Sequence, residues 1–346
     1  MYRYCAGSAR KPLRSMTSDT KMQISNKLVR ASLKTLLITT LCSGGWAQAQ
    51  DAYPSKTIRL ISCCIGVIDA IARVVGEEVS NNLKQPVVVE SKAGASGGIA
   101  ADYVAKSKPD GYTIFFGTNS THAANQSLFK SLPYDYVKDF VPLAGVGEGP
   151  IVLVVNMQSP VRNVAELTAL AKKQPGKLTY GWASSSTRMS MEMYNQLAGI
   201  KITDVPYKTN PQATTDLIGG QVDVMFADMN TALPLVKAGK LRALAVSGTK
   251  RVATISEVPT MKESGLTDFN LTWWVAGWAP AGTPKEVVTQ LSSAINKSIT
   301  SPKVLEFFKN IALEPMPMSS EELMKFQIAE HGKWARIISG AGIQPQ

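Results

Sequence analysis

Two polar segments stand out because each follows an apolar run and precedes a helical pattern. Residues 117–122 (Gly-Thr-Asn-Ser-Thr-His) follow the run that ends at Phe116, and residues 183–188 (Ala-Ser-Ser-Ser-Thr-Arg) follow the run that ends at Trp182. Hydroxyls beside the free N–H groups of a helix start can hold a small anion, because the helix dipole favours negative charge there. Arg188 could add a two-point grip on a carboxylate, with a solvated first-turn arginine as the alternative.

The residue types argue against a metal site, a disulfide framework and a hydrolase. The chain has two histidines, His122 and His331, and no Cys–His spacing, so we predict no metal site. Cys63 and Cys64 are adjacent and cannot staple distant segments. An exported hydrolase, the enzyme alternative, needs a nucleophile beside a base, and neither histidine has an evident acid partner. We therefore predict no catalytic residues and no cofactor.

The charge of the chain argues against a nucleic-acid partner. The formal net charge is +11, but residues 1–49 hold eight of the 37 basic residues and one of the 26 acidic ones. The remainder carries 29 basic and 25 acidic residues, a net of +4, without a basic run. A domain of this charge attracts DNA or RNA only weakly. Since 45% of the residues are hydrophobic, the chain can still bury a sizeable core.

The first 49 residues have the pattern of an export signal. After a polar extension over residues 1–21, basic residues within 27–34 precede a short apolar run, 36–41, and the small residues Ala47-Gln48-Ala49. Ala-x-Ala after such a run is the signal-peptidase pattern, so we predict cleavage after Ala49 and a periplasmic protein. A soluble N-terminal helix is the alternative. No apolar run reaches the roughly 18 residues of a membrane span.

From residue 58 onward, short apolar runs alternate with helical patterns. Residues 58–61 and 112–116 are typical of strands, whereas apolar residues recur every four positions from Ile71 to Leu83, as on one face of a helix. Capping boxes at 163–166 and 283–286 predict two further helix starts. Alternating strands and amphipathic helices predict an α/β fold with a mainly parallel sheet.

A series of segments is specific in its order and spacing. The segments are residues 53–61, 85–90, 108–113 (Lys-Pro-Asp-Gly-Tyr-Thr), 132–135 with 138–140, 175–178, 205–208 (Val-Pro-Tyr-Lys), 216–223, 233–246 and 279–285. Through them the chain resembles, over nearly its whole exported length, the Bug/TctC-type solute-binding proteins of tripartite tricarboxylate transporters.

The resemblance implies a periplasmic two-lobed binding-protein fold of type II, with two doubly wound domains joined by two crossing segments. We expect residues 53–153 and 272–346 in one lobe and residues 154–271 in the other. The resemblance also implies a small carboxylate ligand, a permease with a large and a small membrane subunit, and neither catalysis nor a cofactor. We expect a monomer. A sensor that presents the same ligand to a membrane histidine kinase would share the fold and remains an open alternative.

Four loops lie where strands end against helix starts, the position of ligands in doubly wound folds. In the first loop, residues 62–69, the Bug/TctC-type proteins that this chain resembles have the pattern Pro-Phe-Pro-Pro-Gly-Gly-x-x-Asp. This chain is two residues shorter there. The third loop, 183–188, is also two residues shorter. The short first loop predicts a more open pocket and a bulkier acid. The candidate ligand contacts are Cys64, Gly66, Asp69, Thr118, Asn119, Thr121, His122, Ser184, Ser185, Ser186, Thr187, Arg188, Tyr207, Thr209 and Asp228.

Several of these candidates have an equally simple structural reading. Gly66 and Asp69 fit a turn and a helix cap as well as a ligand contact. His122 fits a hydrogen bond to the backbone. Asp228 could receive an amine or hydroxyl of the ligand, or it could cap a helix.

Overall fold

Strands and helices alternate along residues 53–345, which are the residues that the computed structural model describes; the predicted export signal lies outside them. These residues form eleven strands: β1 Ile58–Ser62, β2 Val87–Ser91, β3 Thr113–Thr118, β4 Phe140–Gly149, β5 Ile151–Asn156, β6 Thr179–Trp182, β7 Thr203–Pro206, β8 Val224–Asp228, β9 Leu241–Val246, β10 Trp273–Pro280 and β11 Glu314–Pro315.

The same residues form ten α-helices: α1 Val67–Leu83, α2 Gly98–Ala105, α3 Asn125–Leu128, α4 Val164–Lys173, α5 Ser185–Ala198, α6 Asn210–Ile218, α7 Met229–Lys237, α8 Lys285–Ile299, α9 Pro302–Asn310 and α10 Ser320–Gly340. Within residues 53–345, no helix combines the length and the apolar character that a bilayer span requires.

The strands form two sheets. The first has six strands in the order β11-β4-β10-β3-β1-β2, and the second has five in the order β7-β6-β8-β5-β9. Only Pro150 separates β4 from β5, so the chain passes directly from one sheet to the other. It returns to the first sheet with β10. The arrangement confirms the predicted α/β fold class.

The expectation of a mainly parallel sheet is wrong. β1 is parallel to β2 and β3, and β6 is parallel to β7 and β8, but the other five strand pairs are antiparallel. A parallel connection needs a crossover, and helices supply it between β1 and β2 and between β6 and β7. β5 and β10 enter a sheet from the other one, and each runs antiparallel to both neighbours.

Two predicted helix starts have different outcomes. Asn163 caps α4, since its side-chain oxygen accepts a hydrogen bond from Glu166 N at 2.9 Å. The capping box predicted before α8 is wrong. The Thr283 hydroxyl donates to Pro280 O at 2.7 Å instead, and α8 begins without a side-chain cap.

Helix α10 packs on β10 through three fully buried indoles. Trp274 Nε1 and Trp334 Nε1 donate to the Glu330 carboxylate at 2.9 and 3.1 Å. Trp278 Nε1 donates to Gln327 Oε1 at 2.9 Å. A buried indole N–H needs such a partner, so these bonds fix the C-terminal helix on the first sheet.

The C-terminal helix also touches an element of the second sheet. Gln196 Nε2, in α5, donates to Ile337 O, in α10, at 2.9 Å. Helix α10 therefore contacts β10 of the first sheet and the helix that follows β6 of the second.

Candidate functional site

Strand ends of the first sheet bring three chain segments together. β1 and β3 are parallel neighbours with Ser62 opposite Phe116, so the segments that follow them leave the sheet at the same edge. Cys63 N donates to Phe116 O at 3.2 Å. A Cβ built on Gly97, just before α2, would lie 2.6 Å from Thr121 Cγ2 and 3.2 Å from Cys63 Cβ. Because Gly97 also has a φ of +84°, glycine is required for this close approach.

A side-chain hydrogen bond joins this edge to the second sheet. Asn119 Nδ2 donates to Ser186 Oγ at 3.5 Å, and Asn119 Oδ1 accepts from Trp274 N at 3.4 Å. Asn119 and Ser186 are 2% and 7% exposed. The predicted second and third loops therefore meet in a buried contact. We call residues 118–122 and 184–190 together the strand-end junction.

Several hydroxyls of the strand-end junction bond within their own segment. Thr121 Oγ1 donates to Thr118 O at 3.0 Å, and Thr187 Oγ1 donates to Ser184 O at 3.0 Å. Ser184 and Thr187 form a reciprocal capping box at the start of α5. These predicted ligand hydroxyls therefore shape the two loops.

His122 is buried among aromatic rings. Its ring stacks on Trp278 with centroids 3.7 Å apart and meets Phe140 edge-on at 5.0 Å. Nδ1 lies 2.9 Å from Thr121 Oγ1, a side-chain partner in place of the expected backbone bond. Burial holds the pKa of the imidazole well below its usual range, so the ring is neutral at pH 7.

Arg188 has an acid partner inside the protein. Its Nη2 lies 3.5 Å from Asp204 Oδ2, and its guanidinium lies 4.6 Å from the centroid of the Trp182 ring. Trp182 Nε1 donates to the same Asp204 oxygen at 3.1 Å. Since the Arg188 side chain is only 19% exposed, the alternative of a solvated arginine is wrong.

Asp228 ends β8 and turns toward the start of α6. Its carboxylate accepts a hydrogen bond from Asn210 Nδ2 and makes no cap bond to α7, so the helix-cap alternative is wrong. Burial raises the pKa of this carboxyl to about 6. Thr209 is exposed and caps α6 by accepting a backbone N–H at 3.3 Å. Tyr207 is half-buried, and its backbone N–H donates to Trp182 O at 2.8 Å.

The first predicted loop leads into α1. Gly66 precedes the helix with a φ of +98°, as the turn alternative requires. Asp69 pairs with Arg73 at 2.8 Å and accepts a hydrogen bond from the Ser91 hydroxyl, and these partners lower the pKa of its carboxyl. Cys64 is half-buried, and its Sγ lies 3.0 Å from that of the preceding cysteine.

Sequence reasoning missed polar side chains close to the predicted ones. Among the described residues, the buried side-chain atoms without a protein hydrogen-bond partner include His122 Nε2, Asn125 Oδ1, Gln126 Oε1, Arg188 Nε and Ser190 Oγ. Buried polar groups are normally paired, so the unpaired Ser190 Oγ within the strand-end junction has hydrogen-bonding capacity that the protein does not use. Ser190 follows Ser186 by four residues in α5, and this helical spacing is the signal that could have identified it.

Four surface cavities are lined by residues other than the fifteen candidates. One of them, of about 830 Å³, is a groove lined by Arg59, Lys92 and Lys106, among others. Within the strand-end junction, Asn119 and Ser186 contact each other directly and both are buried.

One segment has the spacing of a hydrolase nucleophile turn. Residues 94–98 read Gly-Ala-Ser-Gly-Gly between β2 and α2, and Ser96 is exposed with a φ of +51°. A catalytic serine needs a base within hydrogen-bond reach. His122 lies in the aromatic cluster, and His331 Nδ1 contacts Ala123 O at 3.0 Å. Among the residues that the structure describes, no histidine forms a hydrogen bond with Ser96.

Comparisons with known proteins agree with one another. The model of the family described as tripartite tricarboxylate transporter family receptor, TctC, matches residues 71–343. The solved structure of Rpa4515 from R. palustris with adipate is 32% identical, with a TM-score of 0.77, covering 85% of this chain and 100% of that one. The periplasmic binding protein BugD is 31% identical, with a TM-score of 0.74 and the same coverage.

A third solved structure is MatC (Rpa3494) from Rhodopseudomonas palustris with bound malate. It is 28% identical, with a TM-score of 0.72, covering 83% of this chain and 100% of that one. Together these similarities confirm the periplasmic binding-protein fold that the sequence predicts.

Proposed function

Because this chain belongs to the TctC family of tripartite tricarboxylate transporter receptors, we propose that it is a periplasmic solute-binding protein for a small carboxylate. It captures the acid between its two sheets and delivers it to a membrane permease made of a large and a small subunit. It acts as a monomer, without catalysis, cofactor or metal. Residues 1–49 serve as the export signal, which is removed after Ala49.

The contact between Asn119 and Ser186 is the observation that carries this proposal. Asn119 follows β3, which is parallel to β1, and Ser186 follows β6, which is parallel to β7 and β8. Ligands of doubly wound folds bind beyond such strand ends. The similar structures with adipate and malate make a carboxylate the class of ligand to expect here.

The anion is held mainly by backbone N–H groups and hydroxyls at the start of α5. The first N–H groups of a helix have no partner within it, so those of Ser185 and Ser186 can point at an anion. The hydroxyls of Ser186 and Thr118 add donors, and Ser190 Oγ, which lacks a protein partner, lies one turn further on. Arg188 orients this loop through its internal acid partner, Asp204.

The acid reaches its binding site at the strand-end junction when the two lobes move apart about a hinge. Residues 53–153 with 272–346 form one lobe and residues 154–271 the other, and the chain crosses between them near 149–155 and 271–278. Since Asn119 and Ser186 are buried against each other, the lobes must separate before an acid can come between these side chains.

A thermal-shift screen of the chain from Gln50 onward against a library of carboxylic acids tests this function. An acid at about 100 times its Kd adds about 2.7 kcal/mol to the free energy of unfolding. We expect at least one acid to stabilise the protein and its amide to have no effect. Ser186→Ala should reduce the shift, whereas Ser339→Ala, an exposed serine of α10, should leave it unchanged. Absence of stabilisation by every acid, or equal stabilisation by the amides, contradicts the proposal.

A further inference from the structure

Cys63 and Cys64 are the free cysteines of residues 53–345, and their sulfur atoms lie 3.0 Å apart. They lie in the loop between β1 and α1, the first of the four loops that the sequence predicts to contact a ligand. Cys63 is 1% exposed, whereas Cys64 is half-buried. Cys64 is thus the more exposed of the two cysteines, and its sulfur lies next to that of Cys63.

We propose that Cys63 and Cys64 form a reversible disulfide with each other, and that this bond reshapes the first loop and weakens carboxylate binding. The effect on binding rests on the proposed function. The disulfide itself rests only on the position of the two cysteines.

The two thiols are suited to different roles in this reaction. A hydrogen bond between the two sulfur atoms lowers the pKa of the Cys64 thiol. The same bond, together with burial, raises the pKa of Cys63. The sulfur of the more exposed cysteine, Cys64, is thus the better thiolate, and a thiolate is the species that attacks a disulfide.

An external disulfide such as oxidised glutathione supplies the oxidising equivalents. The Cys64 thiolate attacks one glutathione sulfur, and the other glutathione leaves as a thiolate. The Cys63 sulfur, after losing its proton, then attacks Cys64 and expels the second glutathione. Two cysteine thiols and one glutathione disulfide become one protein disulfide and two glutathione thiols, so the protein loses two electrons and two protons.

The bond is reversible because adjacent cysteines close a strained ring. Departures from ordinary disulfide geometry make the bond easier to reduce, and strained, accessible disulfides are the labile ones. The loop has space to adjust while the ring forms. Ile65 is 78% exposed, and a Cβ built on Gly66 would meet no atom within 4 Å.

Ring closure disturbs contacts that hold the seat together. The Cys63 side chain fills the space beside Gly97, where its Sγ lies 3.7 Å from the position of a Cβ, next to Thr121. The Ser62 hydroxyl donates to Cys64 O at 3.0 Å. Turning both sulfur atoms into one ring displaces this packing and this carbonyl, so the loop no longer supports the segment that contains Thr121.

The test uses the exported chain in two states, reduced with dithiothreitol and oxidised with glutathione disulfide. Intact mass should show an oxidised protein two hydrogen atoms lighter, monomeric and protected from iodoacetamide, and dithiothreitol should restore both thiols. Peptides that cover residues 62–66 and 118–122 should exchange amide hydrogen faster after oxidation. Cys63→Ser should instead retain a glutathione adduct on Cys64, because no second thiol is present to displace it.

Titration with adipate completes the test. We expect the oxidised protein to bind adipate at least about tenfold more weakly than the reduced protein, a change of about 1.4 kcal/mol. An unchanged mass after oxidation overturns the disulfide, and equal hydrogen exchange or equal affinity in the two states overturns its effect on the seat. If the disulfide forms and exchange changes but neither adipate nor any acid of the thermal-shift library binds either state, the redox site stands and the proposed function fails.

Discussion

The side-chain amide of Asn119 donates a hydrogen bond to the hydroxyl of Ser186 at 3.5 Å, from the edge of one sheet to a helix of the other. The same amide accepts a bond at 3.4 Å from the backbone of Trp274, in the strand that returns to the first sheet. Both distances lie at the long end of the hydrogen-bond range, so these bonds are weak. A ligand oxygen can therefore replace the Ser186 contact at little cost in free energy.

Gly97→Ala should destabilise the protein by about 1–3 kcal/mol beyond the cost of a positive φ. The added Cβ would lie 2.6 Å from Thr121 Cγ2 and 3.2 Å from Cys63 Cβ, and both side chains are buried. Gly199→Ala is the matched control, because Gly199 has a φ of +60° and no atom within 4 Å of its Cβ position. Urea unfolding measures both. Equal losses in the two variants would show that the three segments do not pack as described.

Asp228→Asn should raise the free energy of unfolding at pH 7 by about 1–3 kcal/mol. Burial raises the folded-state pKa of Asp228 to about 6, whereas an exposed aspartate titrates near about 4. Between these values the folded state binds the proton more tightly than the unfolded chain. The charged Asp228 carboxylate therefore lowers the free energy of unfolding at neutral pH. This loss disappears as the pH falls from about 6 to about 4, because the folded protein then takes up the proton.

Urea unfolding at pH 7 and pH 4.5 checks this sign. The advantage of Asp228→Asn should shrink at the lower pH, and Asp268→Asn, at an exposed aspartate, should show no such change. An advantage that grows toward acid pH would mean that Asp228 is stabilised, not penalised, in its charged form.

Arg188→Ala should lower stability by about 1 kcal/mol and change ligand affinity by less than about threefold. The guanidinium already has Asp204 at 3.5 Å and the Trp182 ring at 4.6 Å as partners. Arg251→Ala is the control, since Arg251 and Glu263 form an ion pair with about half of each side chain exposed. Calorimetric titration and urea unfolding separate the two effects. An affinity loss of about 30-fold with unchanged stability would instead identify Arg188 as the ion-pair partner of the ligand.

The protein recovered from the periplasm should begin at Gln50. The basic residues, the apolar run and Ala47-Gln48-Ala49 stand in the order that signal peptidase requires. N-terminal sequencing of periplasmic protein measures the cleavage point. Material that retains residues upstream of Met22 would contradict the export signal.

Local patterns were predicted from the sequence, whereas long-range pairings were not. The strand from Thr113 and the cap at Asn163 follow from residue spacing, which the sequence displays directly. The antiparallel direction of β10 is not encoded in its composition, so the mixed sheet was missed. The partner of Arg188, in helix α5, is Asp204 in strand β7, 16 positions away, and no local sequence pattern predicts this pair.

The candidate site divides in the same way. We expected the loops between strand ends and helix starts to lie close together, because parallel strands share an edge that helix starts face. Asn119 and Ser186, from two of these loops, are in contact. The same logic assigned Ser184 and Thr187 to a ligand, although they form a capping box. Serine and threonine at a helix start can cap the helix or bind a ligand, and the same sequence pattern fits both roles. Capping is the role that Ser184 and Thr187 have here.

Isothermal titration of the exported chain tests carboxylate capture most directly, with the acid that stabilises the protein most in the thermal-shift screen. We predict one site per chain, no binding of the matching amide, and affinity at least about tenfold weaker in Asn119→Ala and in Ser186→Ala. Ser339→Ala should bind like the unaltered chain. Equal binding of acid and amide, or equal affinity in all three variants, would contradict a carboxylate seat at the strand-end junction.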